Sequence, residues 1–145
     1  MKELLRGGAA VNQAENDGAS PLYMASHKGH LEVVKELLRG GAAVNQARKD
    51  GASPIFVASQ KGHLEVVKEL LRGGAAVNQA QKDGASPLYV ASQQGHVEVV
   101  RGLLKAGADP TLVADNCATA LGGARHFGRT RIVQLLQEHG ATAIV

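Results

Sequence analysis

The chain has 145 residues, 44% of them hydrophobic but only 3% aromatic, and a formal net charge of +3. That length suits one domain, and the shortage of large rings points to many small contacts among Gly, Ala, Leu and Val rather than one broad core. No sustained basic stripe argues for nucleic acid, the lone Cys117 excludes an internal disulfide, and neither an N-terminal apolar leader nor an apolar run of about 18 residues is present. The setting expected from this is intracellular and cytoplasmic, with no membrane insertion.

In chain order, Lys2 to Ala14 repeats Lys35 to Ala47 letter for letter, so residues 1–16 read as a partial repeat that starts midway through a unit. Residues 17–49, 50–82 and 83–115 each open Asp-Gly-Ala-Ser-Pro, a strict period of 33 residues, and KGHLEVVKELLRGGAAVNQA fills both 28–47 and 61–80. Residues 116–145 are a drifted last copy in which Thr119-Ala120-Leu121 stands where Ser86-Pro87-Leu88 would. A fixed period of this size is the mark of a solenoid, whose units are too small to bury their own apolar faces and must stack.

Each full copy predicts the same elements, and residues 50–82 serve as the example. Ser53 before Pro54 suits an N-cap followed by proline at the first helical position, where its missing N–H costs nothing. A short helix follows, and Gly62 ends it by taking the left-handed conformation. His63 opens a second helix whose Leu64, Val66, Val67, Leu70 and Leu71 form an apolar stripe, with Glu65, Lys68, Glu69 and Arg72 opposite. Gly73-Gly74 stops it, and Lys82-Asp83-Gly84 makes a hairpin-like turn into the next copy. In the last copy Ala120, Gly122 and Gly123 weaken the first helix, while Arg129, Arg131, Gln134, Gln137 and Glu138 give the second a polar face suited to a cap. The charged positions Glu32, Lys35, Glu36 and Arg39 and their copies read as a solvated face with i,i+3 and i,i+4 pairs.

The recurring D-G-x-S-P-L-x-x-A-x-x-G-H-x-E-V-V-x-x-L-L-x-x-G-A resembles the ankyrin repeat over essentially the whole chain. The resemblance implies an all-α solenoid of stacked antiparallel helix pairs with hairpin-like turns, and a concave surface of turns and first helices that binds a protein partner without catalysis or cofactor. The family's Thr-Pro-Leu-His is here Ser-Pro-Leu-Tyr at 20–23 and 86–89 and Ser-Pro-Ile-Phe at 53–56. Tyr23, Phe56 and Tyr89 therefore form an aromatic column, expected to pack between units rather than face a ligand.

Positions that differ among otherwise frozen copies mark the candidate contacts. Together with the turn Asp residues they give Glu15, Asn16, Asp17, His27 and Lys28, then Arg48, Lys49, Asp50, Gln60 and Lys61, then Gln81, Lys82, Asp83, Gln93 and Gln94. Only Arg48 among them is a customary interface anchor. The differences at 22–24 against 55–57 conserve volume and read as core swaps.

Catalysis finds little support. His30, His63 and His96 recur one unit apart, too far to share a metal with bonds of about 2.1 Å, and are expected to bond turn carbonyls. The paired glycines lack the strand before and the Gly-Lys-Ser/Thr after that a phosphate loop needs. Asn12, Asn45 and Asn78 match the turn asparagine that an asparaginyl hydroxylase modifies in some ankyrin proteins, with Leu37 and Leu70 eight residues upstream of the last two, but Ala replaces the usual acidic residue; bonding to turn backbone is the expectation. Leu4 and Leu5, with a neighbour on one side only, suggest weak self-association through the N-terminal end. A designed or consensus-like ankyrin scaffold with no evolved partner is the alternative reading.

Overall fold

A computed structural model describes residues 11–141, which form eight α-helices in four antiparallel pairs and no named strand. The pairs are α1 (Pro21–Lys28) with α2 (Leu31–Arg39), α3 (Pro54–Lys61) with α4 (Leu64–Arg72), α5 (Pro87–Gln94) with α6 (Val97–Lys105), and α7 (Ala120–His126) with α8 (Thr130–Glu138). First helices pack on first helices (α1 on α3 on α5 on α7) and second on second (α2 on α4 on α6 on α8), so each pair packs chiefly on its neighbours. The residues of the N-terminal expectation, Leu4 and Leu5, lie outside the described range.

The local chemistry follows from the sequence. Ser20, Ser53 and Ser86 accept from the backbone N–H of Tyr23, Phe56 and Tyr89 at 3.1, 3.2 and 3.1 Å, and Thr119 does the same for Gly122 at 3.0 Å. Each cap satisfies one of the orphan donors at a helix start. Gly29, Gly62 and Gly95 close the first helices with φ of 75, 78 and 84°, and α7 forms despite its glycines but runs seven residues against eight.

Most of the core lies between the helix layers. Leu37, Leu70, Leu103 and Leu136 are each fully buried at one register position of successive second helices. Truncating any of them to alanine would cost about 2–5 kcal/mol. A smaller cluster of Ala19, Tyr23, Ala52, Phe56, Val57, Ala85 and Val90 fills the angle between turns and first helices, with Tyr89 packed partly exposed against it. The rings pack between pairs as expected, without stacking on one another. On the outer face the ion pairs are all i,i+3: Lys35–Glu32, Lys68–Glu65, Arg72–Glu69 and Arg101–Glu98, at 3.7, 3.7, 3.0 and 3.4 Å. Such exposed pairs contribute only a few tenths of a kcal/mol each.

Candidate partner-binding surface

The turns line up through backbone bonds. The N–H of Arg48 donates to the Ala52 carbonyl and that of Gly51 to Arg48, closing a tight loop, while Lys49 N–H donates across to the Asp17 carbonyl at 2.9 Å. Lys82 repeats this on Asp50 at 3.0 Å and Asp115 on Asp83 at 2.9 Å. Within each turn a carboxylate or amide oxygen accepts from the residue two ahead: Asp17 from Ala19, Asp50 from Ala52, Asp83 from Ala85 and Asn116 from Ala118. Asp17, Asp50 and Asp83 are thus turn-formers first, and Asp50 also has its outer oxygen taken by Arg48.

The turn glycines have two reasons to be glycine. Gly18, Gly51 and Gly84 have φ of 84–88°, and a Cβ on them would come within 2.9, 2.8 and 3.0 Å of the next turn's backbone, at Lys49, Lys82 and Ala114. Cys117 holds the same place in the last turn at φ 66°.

The histidines require a correction. His63 Nε2 lies 3.1 Å from the His27 carbonyl oxygen and His96 Nε2 2.9 Å from that of Gln60. The acceptors are the ends of the preceding pair's first helix, not turn carbonyls. The ring seats against the helix-ending glycine, where a Cβ on Gly29 or Gly62 would lie 2.7 or 2.6 Å from Nδ1 of His63 or His96. In the last pair Arg129 replaces the histidine and donates from Nε to the Gln93 carbonyl at 3.2 Å. The asparagines also reach across pairs: Asn12, Asn45 and Asn78 accept from the N–H of Ala43, Ala76 and Asp109 at 2.8, 2.9 and 2.9 Å. Gln46 and Gln79 donate back to the Asn12 and Asn45 carbonyls at 3.0 Å.

A family model for ankyrin repeats matches residues 1–81 and 41–114 in three copies. The chain belongs to the ankyrin-repeat family. Repeats of this kind are generally protein–protein interaction modules and typically non-catalytic. A search of curated proteins finds no significant match. Among the described residues of this ankyrin-repeat chain no helix is long and apolar enough to cross a membrane.

The fifteen candidate residues divide in two. Glu15, Asn16, Lys28, Lys49, Lys61, Lys82 and Gln94 present exposed side chains at turn tips and helix ends, and Gln81 is half-buried. The others are partly engaged. Arg48 pairs through Nε and Nη2 with both oxygens of Asp50, the Nε contact at 3.3 Å, and its guanidinium lies 5.1 Å from the centre of the Tyr23 ring. The bond from Arg48 holds the Asp50 carboxyl below its ordinary pKa. His27 stacks on Tyr23 at 6.5 Å and is shifted down, first by burial and then by Lys61 and Arg48. Gln60 and Gln93 lend their carbonyls to His96 and Arg129. The one customary anchor on this surface is therefore already spent inside the chain.

Sequence comparison missed the last pair's contribution. Phe127, 48% exposed, stands where Lys28, Lys61 and Gln94 stand in earlier copies, edge-on to His126 at 4.7 Å and 6.0 Å from the Arg129 guanidinium. Extending the copy-by-copy comparison to 116–145 would have flagged it.

Proposed function

We propose that this chain is a non-catalytic scaffold, acting in the cytoplasm, that binds a protein partner through the concave surface of turns and first helices. One observation carries the reading. The polar groups behind the turns are consumed by bonds between neighbouring pairs, whereas Lys49 and Lys82, whose backbones are fixed by the Asp17 and Asp50 carbonyls, hold their side chains exposed in a regular row. Glu15, Asn16, Lys28, Lys61, Gln81 and Gln94 extend that row, with the outer edges of Asp17, His27, Arg48, Asp50, Gln60, Asp83 and Gln93 between them. A row of exposed polar side chains on fixed backbone is suited to reading a partner rather than to stabilising the fold.

The test is capture of a protein from lysate by the wild-type chain and by Lys49→Glu/Lys82→Glu, with Glu65→Lys on the outer face as control. A partner lost only with the lysine reversals supports the reading; retention through both variants would count against it. The near-identity of 28–47 and 61–80 favours the second reading, a consensus-like scaffold without an evolved partner. On that reading no captured protein responds to the lysine reversals. Weak self-association through the N-terminal end is checked by sedimentation over a hundredfold concentration range, where a strict monomer would remove it.

A further inference from the structure

Between the third and fourth turns a pocket of about 180 Å³ is lined by Asp83, Ala85, Tyr89, Ala114, Asp115 and Asn116. Its equivalent lies between the first and second turns, two copies earlier, and that one is filled. There the Arg48 guanidinium covers Tyr23 and is held by Asp50. Adding 66 to each number maps Tyr23 to Tyr89, Asp17 to Asp83, Arg48 to Ala114, Lys49 to Asp115 and Asp50, which holds Arg48, to the neutral Asn116. The arginine has become alanine, which exposes the wall that it covered. The lysine beside it has become aspartate, which turns the rim from mixed to acidic. Gly122 and Gly123 occupy the register of Tyr89 and Val90 on the next helix, so no side chain from α7 takes the vacated place.

We infer that the pocket formed by Tyr89, Ala114, Asp83 and Asp115 receives an arginine side chain of the partner, in the pose that Arg48 adopts over Tyr23. An aromatic face attracts a weakly hydrated planar guanidinium, and two carboxylates at the rim complement its charge. The chain thus displays the ligand chemistry in one copy and, in another, an open version of that site in which the Asp115 carboxylate is present and Asn116 stands where Asp50 does. The inference rests on the protein-binding reading above and deepens it.

The probe is N-acetyl-arginine methylamide, titrated into the 15N-labelled chain and followed by NMR. Saturable shifts confined to the amides of Ala85, Tyr89, Ala114 and Asp115 are expected, with N-acetyl-lysine methylamide at least ~3-fold weaker. Ala114→Arg fills the pocket from within and is expected to abolish the shifts. Asp83→Asn/Asp115→Asn, which keeps the turn bond as Asn116 already does, is expected to weaken binding at least ~3-fold at low salt. No response to the arginine probe, equal response to lysine, or shifts indifferent to both variants would overturn the assignment. Dimerisation of the chain that Ala114→Arg abolishes would reassign the pocket to an arginine of a second copy and overturn a partner's arginine. Failure of the small probe with lysate capture intact would leave the scaffold reading standing, so the two fail separately.

Discussion

Arg129 donates from Nε to the carbonyl oxygen of Gln93 at 3.2 Å, the place that His96 takes on Gln60 one copy earlier at 2.9 Å. Chemically different side chains thus do the same work, because both present an N–H at the reach the gap requires. Removing it in Arg129→Ala should cost about 1 kcal/mol by chemical denaturation. Hydrogen exchange should show the loss concentrated in α7 and α8. Arg129→His should recover most of it.

Cys117 sits at φ 66°, where its counterparts are glycine. A side chain in the left-handed region costs about 1 kcal/mol or more, partly offset by the unfolded-state entropy that glycine adds. Cys117→Gly should therefore raise stability by about 0.5–1 kcal/mol. Gly51→Ala should do the reverse by more than about 2 kcal/mol, since its Cβ would also meet the Lys82 nitrogen at 2.8 Å. Comparing urea midpoints of the two variants decides the point.

Ser26, Ser59 and Ser92 are fully buried, and their hydroxyls have no hydrogen-bond partner among the described residues. A buried hydroxyl without a partner costs about 1–3 kcal/mol. Ser59→Ala should be neutral or stabilising by up to about 1 kcal/mol. A marked loss in the melting temperature would show that the hydroxyl is satisfied after all.

Acid should weaken the fold through His27 before it does so through Asp50. Burial lowers the His27 pKa below its ordinary value, so the unfolded chain binds the proton more readily. Stability from this group is full above the ordinary histidine pKa and falls as pH drops through that range. Asp50 has its carboxyl lowered by Arg48, and its contribution is lost only lower, as pH falls from the ordinary carboxylate range through its depressed value. His27→Gln, which copies Gln60, should flatten the stability profile between pH 7 and 5 while leaving the acidic limb in place.

The helix pairs were legible because Ser-Pro starts, Gly ends and the Val-Val and Leu-Leu stripes act within a single copy. What escaped was whatever acts across long stretches of sequence. Gly29 and His63 are 34 positions apart, and nothing local to either shows that one leaves room for the other. Arg48 read as an exposed anchor because its turn is exposed. Its engagement depends on Tyr23 at the far end of the same copy and on Asp50 of the next, and the sequence placed that ring in the core without showing what covered its outer side. The opening at Tyr89 was hidden for the same reason, since it joins Tyr89 and Ala114 from opposite ends of one copy with Asn116 of the next.

The bonds of His63 and His96 reach back 36 residues and no farther, and the asparagine bonds 31. Every tie of this kind joins one pair to the next, so a force applied to the two ends loads the junctions in series. Stretched by optical tweezers, the array should yield in steps of one pair, each releasing 33 residues, or about 110 Å of contour at roughly 3.4 Å per residue. The molecule is in that sense a spring made of equal coils, with its compliance set at the joints.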